Sequence, residues 1–159
     1  MDYLYEKQLK GLKISTMLKH ILIADDDEDD RMLFADALRR VSMEVELSMA
    51  TDGDELLTLL KNSPRLPDVV FLDLNMPAKN GFESLKEIKK DPRLRQLPVI
   101  IFTTTRRRET VDQLFALGAR YYLEKPTDFD VLKKLIGAIL TASIDGTPQS
   151  KKEFTQYMF

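Results

Sequence analysis

Apolar residues along this chain switch repeatedly between two periods. Short continuous or alternating runs at His20–Ala24, Val45–Ala50, Val69–Asp73, Val99–Thr103 and Tyr121–Leu123 have the length and β-branched content of strands. Between them apolar positions recur at three and four, as they do on a helix with one buried face. Met32, Leu33, Phe34, Ala37, Leu38 and Val41 mark the first helix, and Leu56, Leu57, Leu59 and Leu60 the second. Phe82, Leu85 and Ile88 mark the third. Val111, Leu114, Phe115 and Leu117 form the fourth, which closes at Gly118, and Leu132, Leu135, Ile136, Ile139 and Leu140 form the fifth. Asp52 with Glu55, and Thr127 with Asp130, have the spacing of reciprocal N-caps. Strand and helix alternate throughout with short connections, which predicts an α/β domain: a parallel sheet with helices on both faces.

The ends are different in character. Residues 1–17 form a polar N-terminal extension in which Tyr5, Leu9 and Leu12 keep helical spacing, so a helix and disorder both fit. Residues 18–142 hold the domain, and 143–159 form a tail. In that tail Asp145-Gly146-Thr147-Pro148 is a linker, and Ser150 with Glu153 would cap a short helix bearing Phe154, Tyr157, Met158 and Phe159. Docking of this aromatic tail on its own domain is the favoured expectation over a role in partner binding.

Composition narrows the function. Among the 159 residues there is no cysteine, which excludes disulfides, thiolate metal sites and thiol nucleophiles. No apolar run approaches the ~20 residues of a membrane span, so a soluble cytoplasmic protein is expected. The formal charge of −2 gives no general attraction to nucleic acid. Local charge says more: Asp25–Asp30 reads D-D-D-E-D-D, and Arg106–Arg108 is a basic run where a helix should start, facing the wrong end of its dipole. His20, the only histidine, is expected to be solvated at a strand start; with no other imidazole, any phosphohistidine must come from a partner.

The candidate chemistry lies where strands end. In open α/β sheets, ligands bind outside the carboxyl ends of the strands. Here those ends carry Asp25 and Asp26, Asp73, Thr103 and Lys125. Two carboxylates about 4 Å apart repel by roughly 4 kcal/mol at an effective dielectric of about 20, so three together call for a cation. Hard oxygen donors with room for water favour magnesium. A carboxylate beside that cation, with an ammonium and a hydroxyl to neutralise phosphoryl oxygens, can capture a phosphoryl group covalently, and Asp73 is the candidate.

Four segments in this order carry a family resemblance: Asp25-Asp26, F-L-D-L-N-M-P-A-K-N-G around Asp73, P-V-I-I-F-T-T ending at Thr103 and Thr104, and G-A-R-Y-Y-L-E-K-P with Lys125. From about His20 to Thr141 the chain resembles the CheY-like receiver domains of response regulators, and most closely the small single-domain type that serves phytochrome-type kinases. The resemblance implies a flavodoxin-like doubly wound sheet with strand order 2-1-3-4-5. It implies Asp73 as phosphoacceptor, and Asp25, Asp26, Asp73 and the Asn75 backbone carbonyl around Mg2+. It also implies Thr103 and Tyr122 as switch residues and Lys125 as the phosphoryl's cationic partner. Partners would be a histidine kinase or phosphotransfer protein and a downstream target or second copy. With few residues after Thr141, output through protein contact rather than DNA is expected. Asn75 and Thr105 occupy positions that tune phosphoryl lifetime in the family, and Arg106–Arg108 would lie near the usual partner face.

Two other readings compete. A haloacid-dehalogenase-like magnesium phosphatase also uses a strand-end Asp, but needs an acid two residues later, where Asn75 stands. A phosphorylation-independent adaptor would have no use for the intact set. A flavodoxin-type mononucleotide site is disfavoured because the loop after the first strand is acidic.

Overall fold

The computed structural model describes residues 18–142 and 144–158. The helical spacing of Tyr5, Leu9 and Leu12, and the positions Ser143 and Phe159, lie outside them. The order is β1 (His20–Ala24), α1 (Glu28–Val41), β2 (Glu46–Ala50), α2 (Gly53–Asn62), β3 (Val69–Leu72) and α3 (Gly81–Lys90), then β4 (Val99–Thr103), α4 (Arg108–Ala116), β5 (Tyr121–Glu124), α5 (Phe129–Thr141) and α6 (Lys151–Phe154). The strands form one parallel sheet in the order β2-β1-β3-β4-β5. This is the doubly wound order expected.

Alternation along the strands splits the core into two layers. Ile21, Ile23, Val69, Phe71, Ile100, Phe102, Tyr121 and Leu123 face α1 and α5. Leu22, Ala24, Val70, Leu72, Val99, Ile101 and Tyr122 face α2, α3 and α4. Phe34 of α1 meets Phe71 and Phe102 edge-on, with centroids 4.9 and 5.8 Å away, and locks the first layer across three elements. Burial on both faces explains why β1, β3 and β4 read as unbroken apolar runs, whereas the edge strand β2 is half-exposed.

The structure departs from the apolar pattern at a few places. Met32 and Leu33 are solvent-exposed on α1, and Leu59 on α2, because the buried stripe of each helix is narrower than its apolar content. The α1 stripe is Phe34, Ala37 and Leu38. His20 is half-buried rather than solvated: its Nε2 lies 2.7 Å from Ser48 Oγ on β2. The cap of α5 is Asp128, not Thr127: its Oδ1 accepts from the amides of Asp130 and Val131 at 2.7 and 3.2 Å. Asp52 does cap α2, accepting from the Glu55 amide at 2.8 Å.

The cap assignment is testable by chemical denaturation. Asp128→Ala should cost about 1 kcal/mol, as loss of an N-cap does, while Thr127→Ala should stay within about 0.5 kcal/mol of the parent.

Candidate functional site

Each strand end delivers its side chain for a local reason. β1 closes at Ala24 and the chain turns into α1; the Asp27 amide donates to Asp25 Oδ1 at 3.0 Å, and Asp27 itself caps the helix. Asp25 is thereby fixed inside the fold, fully buried, while Asp26 points to solvent. β3 ends at Leu72 and Asp73 follows, its Oδ1 accepting the Leu74 amide at 2.8 Å. Gly81 lets α3 approach this turn: a Cβ there would stand 2.3 Å from the Asp73 carbonyl oxygen, so no other residue fits without moving it. After β5, the Lys125 amide donates to the Thr103 carbonyl at 2.8 Å, which registers the lysine against the end of β4.

These placements bring four charged groups into contact. Lys125 Nζ lies 2.7 Å from Asp25 Oδ2, 2.8 Å from Asp30 Oδ2 and 3.1 Å from Asp73 Oδ2. One oxygen from each of Asp25, Asp26 and Asp73 falls within 4.8 Å of the others. Burial pushes the Asp25 carboxyl above its usual range, opposed by the Lys125 ammonium and the Asp27 amide. Lys125 also stands above its ordinary value: burial works against its charge, but hydrogen bonds to Asp25 and Asp30 and the charge of Asp73 outweigh it. The lysine is therefore a firm cation. One ammonium among this many acids still leaves the cluster net negative, and the free donors are all hard oxygens, a set suited to a hard divalent ion.

Thr103 and Tyr122 lie around this cluster in different ways. Thr103 is fully buried at the end of β4, and its hydroxyl has no hydrogen-bond partner among the described residues. Tyr122 points inward, fully buried, and its hydroxyl donates to the Thr105 carbonyl in the loop after β4. Burial raises the Tyr122 phenol to about 12. Asn75 is exposed and lines an open cleft of 680 Å³ with Asn80, Thr105 and Arg107. In the basic run, Arg106 Nε meets Glu124 at 3.1 Å, and Arg107 precedes α4 without a side-chain cap.

Asp30 and Arg31 were not singled out by sequence. Asp30 reaches Lys125 from the first turn of α1, and Arg31 Nη1 donates to the Asp25 carbonyl at 2.7 Å. The signal lies in the helix entry: with Asp27 as the cap, Asp30 and Arg31 fall in the first turn of α1, beside the end of β1.

A family model described as the response regulator receiver domain matches residues 21–137. The chain belongs to this family. Its relatives include response regulator Rcp1 of Synechocystis sp., 34% identical over 127 residues, covering 76% of this chain and 86% of that one. Among solved structures, the phosphorylated cyanobacterial phytochrome response regulator RcpA superposes with a TM-score of 0.74 at 28% identity, covering 81% of this chain and 99% of that one. The Mn(2+)-bound form of Rcp1 gives 0.71 at 32% identity, covering 80% and 99%. This receiver domain is thus a two-component response regulator of the CheY-like kind, and neither the phosphatase nor the adaptor reading is favoured. No helix among the described residues is long and apolar enough to cross a membrane.

The raised Tyr122 value fixes the sign of an alkaline effect. An unfolded phenol ionises near 10.0 and the folded one only near 12, so over that interval the unfolded state loses its proton first and stability falls as pH rises. Tyrosinate absorbance should show one phenol titrating near 12, and Tyr122→Phe should remove both that step and its share of the alkaline loss of stability.

Proposed function

We propose that Asp73 is the phosphoacceptor of this response regulator and that Asp25, Asp26, Asp73 and the Asn75 backbone carbonyl hold Mg2+ beside it. The observation that carries the reading is the approach of Lys125 Nζ to Asp73 Oδ2 at 3.1 Å, next to carboxylate oxygens clustered within 4.8 Å. Bound magnesium supplies positive charge to the phosphoryl oxygens and offsets repulsion within the acidic cluster.

The chain's own groups do the rest. With Oδ1 held by the Leu74 amide, Asp73 Oδ2 is the oxygen that attacks phosphorus. The new O–P bond forms as the P–N bond to a partner's phosphohistidine breaks, and the imidazole leaves with its electron pair and takes up a proton. Lys125, already a firm cation, shifts from the carboxylates toward the incoming oxygens. The unpartnered Thr103 hydroxyl is the donor in reserve: it gains its bond only when a phosphoryl oxygen arrives. That gain, with Tyr122 bonded to Thr105 in the loop that follows, is the means by which the site communicates with the surface.

The partners are a histidine kinase or phosphotransfer protein as donor and a protein target or second copy as receiver of the signal. The domain acts as a phosphorylated switch with only weak turnover of its own, in the cytoplasm.

Incubation with Mg2+ and acetyl phosphate, read by intact mass, should add one phosphoryl group. Asp73→Asn should abolish the adduct, as should chelation of the metal, and Lys125→Ala should slow its formation by at least about 100-fold. An adduct that persists in Asp73→Asn rules out the assigned acceptor.

A further inference from the structure

An ammonium carries three protons, and three carboxylates stand ready for those of Lys125: Asp25, Asp30 and Asp73, at 2.7, 2.8 and 3.1 Å from Nζ. The three acceptors are not equivalent. Asp25 and Asp73 belong, with Asp26, to the oxygens that lie within 4.8 Å of one another, the set assigned to the ion, and Asp30 is not among them. Asp25 and Asp73 are also buried, whereas the Asp30 side chain keeps 34% of its surface in water.

Asp30 is nonetheless held in place. Its amide donates to the Asp27 cap at 3.1 Å, in the first turn of α1, where the helix dipole favours an acid. Its carboxylate therefore approaches Lys125 from a fixed backbone position, on a different element from either β1 or β3.

The difference matters when the site is loaded. Asp25 and Asp73 then share their charge with the ion, and Asp73 Oδ2, once esterified, is a poor acceptor. A divalent charge nearby also repels the ammonium. A lysine head on a flexible four-carbon stem leaves such a place unless a counter-charge outside the ion's ligand set keeps it there. Asp30 is that counter-charge.

We propose that Asp30 is a positioning residue for phosphoryl capture, acting through Lys125: it retains the ammonium in the site while the ion and the phosphoryl group take over Asp25 and Asp73. Lys125 pivots about the Asp30 contact, one N–H still donating to Asp30 Oδ2 and the others turning toward the incoming oxygens. The role in capture rests on the assignment of Asp73 as phosphoacceptor; the retention of Lys125 does not.

The test compares Asp30→Asn with Asp29→Asn in the full chain. Each removes one charge from the first turn of α1 at nearly constant size, but Asp29 is exposed and Asp30 touches Lys125. The 15N-labelled ammonium signal of Lys125, assigned by its loss in Lys125→Arg, is followed by NMR as Mg2+ is added without phosphodonor. In wild type and Asp29→Asn the signal should survive saturation with Mg2+, whereas in Asp30→Asn it should be absent once the ion is bound, lost to exchange with water. With acetyl phosphate and saturating Mg2+, adduct formation should slow about tenfold in Asp30→Asn and less than about twofold in Asp29→Asn. Asp30→Glu, which keeps the charge, should restore the signal and bring the rate to within about threefold of wild type. A signal missing from wild type with or without the ion, a signal kept in Mg2+-saturated Asp30→Asn, or equal rates in the two Asn variants overturns the proposal. An adduct that persists in Asp73→Asn refutes the acceptor assignment instead, and leaves the NMR comparison standing.

Discussion

An ammonium group held against three carboxylates is the contact on which the rest of this structure depends. Two like charges about 4 Å apart cost roughly 4 kcal/mol at an effective dielectric of about 20, and the fold places Asp25, Asp30 and Asp73 around one point. Lys125 makes that arrangement tenable, and to do so it must be delivered accurately. The backbone bond from its amide to the Thr103 carbonyl fixes its register, and the parallel order puts the ends of β1 and β3 on the same edge. An apolar bilayer of side chains on either face of the sheet is what keeps those ends in place. The polar site is thus a product of the apolar pattern.

That dependence explains what was legible in the sequence. β1, β3 and β4 are buried on both faces, so their composition has little freedom and their ends could be located to within a residue. The acids and the lysine then converged because strand ends in a parallel sheet must. Other features answer to geometry that a one-dimensional period does not encode. The apolar content of α1 includes Met32 and Leu33, yet packing selects only the stripe through Phe34, Ala37 and Leu38. Thr127 and Asp128 are both good caps, and only the turn before α5 chooses between them. Asp30 lay within an acidic run in which any member was a candidate, and its contact with Lys125 is decided by the pitch of α1's first turn.

The C-terminal segment has a structural role at the sheet margin. β5 is an edge strand, and exposed edges of this kind invite pairing with other chains. Tyr121 and Tyr122 lie on opposite faces of it, and the tail sets Tyr157 against one and Phe154 against the other. It therefore straddles the strand. Because Tyr122 also donates to the Thr105 carbonyl, the cover over the edge and the loop after β4 share a side chain.

Sequence separation within the charged cluster bears on how the protein is made. Lys125 meets Asp30 from 95 residues away and Asp73 from 52. On a ribosome, the segments bearing all three acids emerge before the lysine that reconciles them. Bringing the ends of β1 and β3 together before β5 is out would set Asp25 and Asp73 side by side without their counter-charge. Divalent cations in the surrounding medium would relieve the same repulsion in the interval.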